Sequence, residues 1–178
     1  MPAILDVEGR RCLVVGAGKA ASWKIAALVA ADADVVVVAP RALVELPDAV
    51  TFEPRPWAPA DVDGCAIVVT AADDAAVNEQ AARAAKAAGA LVLRADSPGI
   101  GDLRLPAVHR SGTVTFSVDT GRASPTLSSA LRDRVAELEG GRWAALADWA
   151  RANRPVSRAE ARRRVREATR EPEPGGAR

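Results

Sequence analysis

The stretch Arg11-Cys12-Leu13-Val14-Val15-Gly16-Ala17-Gly18-Lys19-Ala20-Ala21 runs from an apolar strand into a glycine loop and on into a helix. Its spacing, G-x-G-x-x-A, restricts what can be built around it more than any other part of the chain does. At a strand-to-helix turn Gly16 permits the tight bend, Gly18 lets the backbone approach a pyrophosphate, and Ala21 lets the helix lie close against the sheet. Backbone N–H groups at the helix start then face the phosphates, and the helix dipole favours negative charge there. The alternative is an ordinary β-α turn that needs glycines only for its geometry, because short glycine patterns recur by chance.

Past the glycine loop, strands and helices continue to alternate. Arg11–Val15 reads as the first strand and residues 19–30 as a helix with Ile25, Leu28 and Val29 on its apolar stripe. Val35-Val36-Val37-Val38 is a continuous apolar run, suited to a strand covered on both faces and ended by Pro40. Residues 50–53 form a short third strand. Pro54, Pro56 and Pro59 then break regular structure, with Trp57 expected to pack as a lid. Residues 66–70 read as a fourth strand, 74–88 as an alanine-rich helix closed by Gly89, and 91–95 as a fifth strand. Five strands with helical crossovers predict an α/β fold, a Rossmann-like doubly wound parallel sheet.

That topology decides where chemistry can occur, because ligands bind beyond the carboxyl ends of the strands at the switch point between strands one and four. Three distant stretches meet there: the glycine loop, Thr70-Ala71-Ala72-Asp73-Asp74, and Ala95-Asp96-Ser97-Pro98. Asp96 is thus a carboxylate at the mouth of the crevice, able to serve as a general base or simply to start the turn before Pro98. Asp73 or Asp74 reads as a helix N-cap. The acidic residue that often holds the ribose hydroxyls after strand two is missing, since that edge is Ala39-Pro40-Arg41. Arg41 can take an adenine-ribose phosphate or remain a solvated charge, so both NAD and NADP stay open.

Composition removes other classes. A net charge of +1 argues against a dedicated nucleic-acid binder. No apolar run is long enough for a membrane helix, and the start lacks the basic and apolar sections of a signal peptide, so a cytoplasmic location is the expectation. Cys12 and Cys65 have no metal-ligand spacing and read as buried thiols, while the single histidine, His109, rules out a histidine-rich metal site.

Beyond Asp96 the pattern changes. Residues 105–110 and 113–118 read as a hairpin, with His109 and Arg110 exposed near its turn. Ser124-Pro125 has the chemistry of a helix N-cap and first turn, leading into Leu127, Leu131, Val135 and Leu138. The same helix start, with Arg122 beside it, is also an anion site in prospect, a role compatible with capping. Residues 143–153 read as a further helix, Ser157-Arg158-Ala159-Glu160 as a capping box opening an arginine-rich one, and 171–178 as a disordered tail.

Taken together, Gly16-Ala17-Gly18-Lys19-Ala20-Ala21 with Lys24, Thr70-Ala71-Ala72-Asp73-Asp74 through Asn78, Asp96-Ser97-Pro98 through Leu105-Pro106-Ala107, and Thr120-Gly121-Arg122-Ala123-Ser124-Pro125 with Leu131-Arg132 resemble siroheme synthase N-terminal domains. These are precorrin-2 dehydrogenases, some of them also sirohydrochlorin ferrochelatases, and the similarity covers about residues 3–140. It implies oxidation of precorrin-2 to sirohydrochlorin with NAD, and possible insertion of iron as a second substrate. It implies Asp96 as general base. A cofactor site of Gly16, Gly18, Lys19, Ala20, Pro40, Arg41 and Thr70 is also implied, with tetrapyrrole carboxylates held at Arg122 and Ser124. So is a homodimer, with a Rossmann domain over 1–104, a small α+β dimerisation region over 105–140 and C-terminal helices over 141–170. Arg132 and Arg134 could provide further anion anchors for such a substrate, although each taken alone reads as a surface residue. Two positions depart from the family pattern: Leu103-Arg104 replaces an aromatic and an apolar residue, and Leu93-Arg94-Ala95 replaces an Asn-containing strand. A noncatalytic NAD-sensing regulatory module is the rival function, and it has no need of a carboxylate aimed at the nicotinamide.

Overall fold

Four consecutive valines can all be buried only in a strand covered on both faces, and Val35–Val38 are 6% exposed or less. They lie in the second strand of a five-stranded parallel sheet. The computed structural model describes residues 3–96, 101–121 and 123–169. Two units are distinguished, Met1–Arg104 and Leu105–Arg178.

The first unit contains β1 (Arg11–Val15), α1 (Lys19–Val29), β2 (Asp34–Ala39), β3 (Val50–Pro54), β4 (Ile67–Thr70), α2 (Ala75–Ala87) and β5 (Leu91–Arg94). The strand order is β3-β2-β1-β4-β5, so the chain reverses direction across the sheet between β1 and β4. Side chains alternate between faces along each strand. Cys12 and Val14 therefore join Val35, Val37 and Val69 under Ala21, Ile25 and Leu28 of α1. Leu13 and Val15 join Val36, Val38 and Val68 under Ala81, Ala82 and Ala85 of α2. The small residues of α2 let that helix lie close to the sheet, and Trp57 covers the edge of this second layer. Between β3 and β4 the proline-rich segment is more ordered than the sequence suggests. Pro59–Val62 forms a 3-10 turn, held by Asp61, whose carboxylate accepts from Ala58 N and from the Arg55 guanidinium. Cys12 and Cys65 are buried free thiols, pushed up from the usual range by burial.

The second unit contains the antiparallel hairpin β6 (Ala107–Ser111) and β7 (Val114–Val118), then α3 (Pro125–Glu139), α4 (Arg142–Ala152) and α5 (Arg158–Thr169). The hairpin differs from the sequence reading at two points. Strand β6 begins two residues later than expected, after Pro106, and His109 is half-buried rather than exposed, stacked on Phe116 with ring centroids 6.2 Å apart. The cause is Glu139 at the end of α3. Its buried carboxylate accepts from Ser111 Oγ at 2.6 Å, Trp143 N at 2.8 Å and Gly141 N at 3.0 Å, drawing the hairpin and the α3–α4 junction together, with His109 Nε2 at 3.4 Å. The Ser111 hydroxyl and these N–H groups hold the Glu139 carboxyl down at about 2. Helix α3 turns Ser128, Val135 and Glu139 inward and leaves Leu127, Leu131 and Leu138 exposed. Among the described residues no helix is long and apolar enough to cross a membrane.

Candidate functional site

The carboxyl ends of four strands are joined into one edge by backbone hydrogen bonds. Gly16 N donates to Val38 O at 2.9 Å, Ala71 N to Val15 O at 2.8 Å and Ala95 N to Thr70 O at 2.9 Å, while Leu43 N reaches Ala17 O at 2.9 Å. Pro40 and Arg41, the loop Gly16–Ala20, Thr70, and Asp96 therefore succeed one another along this edge, in the order β2, β1, β4, β5. Parallel strands lie about 4.8 Å apart, so the backbones of β1 and β5 are roughly 10 Å apart across β4.

The loop is shaped by close approach. Gly16 has φ +108°, and a Cβ there would lie 2.5 Å from Ala71 C and 2.7 Å from Ala72 N, with Ala71 O nearer still. The β4–α2 connection thus packs directly on the glycine. That connection is fixed by Asn78, a buried residue whose side-chain amide donates to Ala72 O at 2.8 Å and accepts from Ala72 N at 2.9 Å. Asp74 provides the N-cap of α2, accepting from Ala76 N at 2.7 Å.

At Gly18 the situation is reversed: no atom lies within 4 Å of where a Cβ would be. Gly18 is the N-cap of α1 and brings no side chain to the helix start. The first intrahelical bonds run from Ala21 N and Ser22 N to Gly18 O, so the geometry leaves the N–H groups of Lys19 and Ala20 without acceptors in the helix. Thr70 Oγ1, at the end of β4, is fully buried without a hydrogen-bond partner among the described residues. Open donors at a helix N-terminus and clear space at the second glycine together suit the pyrophosphate of a dinucleotide. Lys24 lies on the inner side of α1, where its ammonium donates to Ala20 O at 2.8 Å and sits 4.0 Å over the Trp23 ring. Burial pushes its pKa down.

The Asp96 side chain is 24% exposed and both its oxygens accept from Arg94, Oδ1 from Nε at 3.0 Å and Oδ2 from Nη2 at 2.7 Å. The third arm of the guanidinium, Nη1, donates to Glu79 Oε2 of α2 at 2.7 Å. Asp96 and Glu79 hold the Arg94 guanidinium well above its ordinary value. The sequence marks Arg94 only as a departure from a pattern and gives Glu79 no role. Neither partnership was legible there, because it depends on where α2 lies against β5.

In the second unit Ser124 is the N-cap of α3, accepting from Leu127 N at 3.1 Å, with Pro125 in the first turn. Pro125 has no N–H, and Ser128 N is bonded to Ser124 O, so Thr126 supplies the one N–H of this helix start left for an anion. The anion anchors expected at Arg132 and Arg134 sit in local surface ion pairs with Asp133 and Glu137. Arg122, the turn residues Ser97 and Pro98, and the tail 171–178 lie outside the described residues.

Comparison with known proteins agrees with this geometry. A family profile described as "Putative NAD(P)-binding" matches residues 3–107. Siroheme synthase of Nitrosococcus oceani is 36% identical over 143 residues, covering 78% of this chain and 31% of the relative. Siroheme synthase of Methylococcus capsulatus is 34% identical over 177 residues, covering 97% of this chain and 36% of the relative. The chain thus spans about a third of the length of these curated relatives. Among solved structures, "SirC, precorrin-2 dehydrogenase" superimposes with a TM-score of 0.72 at 23% identity, over 95% of this chain and 87% of that one, and shares its fold. With more than half of its residues matched, the chain belongs to this NAD(P)-binding family, and its likeness to siroheme synthases supports the resemblance carried by its motifs.

Proposed function

We propose that the chain is an NAD-dependent precorrin-2 dehydrogenase, which oxidises precorrin-2 to sirohydrochlorin in siroheme biosynthesis. The observation that carries the reading is the shared edge: a dinucleotide cradle and a fixed carboxylate, Asp96, at the ends of adjoining strands. The names of the relatives and of the structural neighbour supply the substrate.

In this reading the N–H groups of Lys19 and Ala20 hold the pyrophosphate with help from the α1 dipole. Gly18 keeps the approach open, Gly16 lets the β4–α2 connection pack behind the loop, and Thr70 stands at the same edge. Pro40 and Arg41 flank the adenine ribose. Bound NAD supplies the hydride acceptor. Precorrin-2 gives up one hydride and one proton, so the products are sirohydrochlorin, NADH and H⁺. Asp96, held by the Arg94 fork, takes the proton. Ser124 and Arg122 hold substrate carboxylates. A chelatase step with iron as substrate would use the same carboxylate to accept the macrocycle's N–H protons.

The exposed leucines of α3 support a homodimer, since Leu127, Leu131 and Leu138 form an i, i+4, i+11 stripe that the hairpin does not cover. Sedimentation should show a dimer for the full chain and a monomer for Leu131→Glu; a monomeric parent would remove the proposal. For the reaction itself, Asp96→Ala should lose NADH formation from precorrin-2 while binding NAD within about twofold of the parent. Normal turnover in that variant would take Asp96 out of the mechanism. NADP in a parallel titration decides whether Arg41 accepts the 2′-phosphate.

A further inference from the structure

Asp96 lies two residues beyond the end of β5, where the ladder no longer fixes the backbone. A carboxylate in such a place ordinarily samples several rotamers. Arg94, in contrast, is the last ladder residue, in register with Thr70, and its side chain is only 9% exposed. Its guanidinium is therefore anchored at the root by the sheet and at the far end by Glu79, which also accepts from Arg83 Nε at 2.9 Å on the next turn of α2. What remains of the fork is directed at Asp96, through two nearly parallel charge-assisted bonds of 3.0 and 2.7 Å.

We propose that Arg94 is a positioning residue for Asp96, with Glu79 as its outer brace, so that α2 and β5 together set where the proton acceptor stands. This rests on the reading of Asp96 as proton acceptor given above. A planar fork fixes both the position and the plane of a carboxylate, which a lysine ammonium cannot do. Glu79 holds the guanidinium from turning its fork toward solvent.

The full-length protein would be compared as Arg94→Met, Arg94→Lys, Asp96→Ala, the Arg94→Met/Asp96→Ala double variant and Glu79→Gln, by NADH formation from precorrin-2 and by direct NAD binding. Arg94→Met should lower kcat on the order of 10- to 100-fold, the scale of a small misplacement of a reacting group, with NAD affinity within about twofold. Arg94→Lys should recover part of that loss, and the double variant should be no slower than Asp96→Ala alone, because a residue acting through another adds nothing once the other is gone. Glu79→Gln, at a half-buried position, should lower kcat by roughly two- to fivefold with an unchanged melting temperature, and it decides the matter if Arg94→Met does not fold. Parental kcat in Arg94→Met, or in Glu79→Gln where the former cannot be purified, overturns the proposal. So does a double variant whose losses multiply. Parental turnover in Asp96→Ala would overturn the role of Asp96 itself, a result separable from failure at Arg94 alone.

Discussion

The two glycines of the loop should fail in different ways when given a methyl group. At Gly16 the added Cβ meets backbone, not a flexible side chain, at 2.5 Å from Ala71 C and 2.7 Å from Ala72 N. Neither neighbour can yield without moving the segment that Asn78 holds. Overpacking of this kind costs about 1–3 kcal/mol, and a non-glycine residue at φ +108° adds about 1–3 kcal/mol. The sum, roughly 2–6 kcal/mol, is a large part of a domain's total stability of about 5–15 kcal/mol. For a domain of this size it corresponds to a fall in Tm of at least about 10 °C. At Gly18 the φ is −98° and the space beside it is empty, so alanine there costs less than about 1 kcal/mol, the scale of a changed N-cap. The methyl group would instead stand where the phosphates approach, weakening NAD by about 1–3 kcal/mol, roughly 5- to 150-fold in Kd. Differential scanning calorimetry and NAD titration on both variants separate the two effects. A Gly16→Ala protein that melts like its parent, or a Gly18→Ala protein that binds NAD like its parent, would refute the reasoning about which glycine serves packing and which serves the ligand.

Two further contacts carry predictions of their own. Asn78→Ala leaves Ala72 N and O unpaired in a buried place and should cost about 2–4 kcal/mol, measured by chemical denaturation, with NAD affinity falling as the segment behind Gly16 loosens. Glu139 has a folded-state pKa depressed from 4.5 to about 2, chiefly by the Ser111 hydroxyl and also by the Trp143 and Gly141 N–H groups and His109. The stability it contributes is therefore present above pH 4.5 and is lost as pH falls toward 2. The Tm advantage of the parent over Glu139→Gln should shrink across that window; an advantage independent of pH would remove the carboxylate's charge from the explanation.

Much of the first unit was legible because its elements obey local rules. The apolar run Val35–Val38 reports a strand buried on both faces, Gly89 closes α2, and Asp74 caps the helix that its residue type suggests, as Ser124 does in the second unit. The position of Asp96 at the sheet edge could be read from strand order alone. What could not be read was held by contacts distant in sequence. Arg94 looks like a polar end to a buried strand until Glu79 is brought beside it from 15 residues away. His109 reads as a turn residue until Glu139, 30 residues on, reaches the hairpin. Asn78 stands in a recognisable motif, but its role as the fastener of the β4–α2 connection comes from a bond across six residues that no periodicity encodes. The leucine stripe of α3 shows the opposite limit: helical spacing identifies an apolar face, yet not which neighbour covers it.

The most direct test of the proposed activity is anaerobic NADH formation by the purified protein, supplied with freshly generated precorrin-2 and NAD. Formation of NADH in step with sirohydrochlorin, dependent on the protein and absent from Asp96→Ala, is the predicted result. Tight nucleotide binding with no hydride transferred to NAD from precorrin-2 would contradict it, leaving the cradle at Gly16–Ala20 as the binding site of an NAD-sensing module.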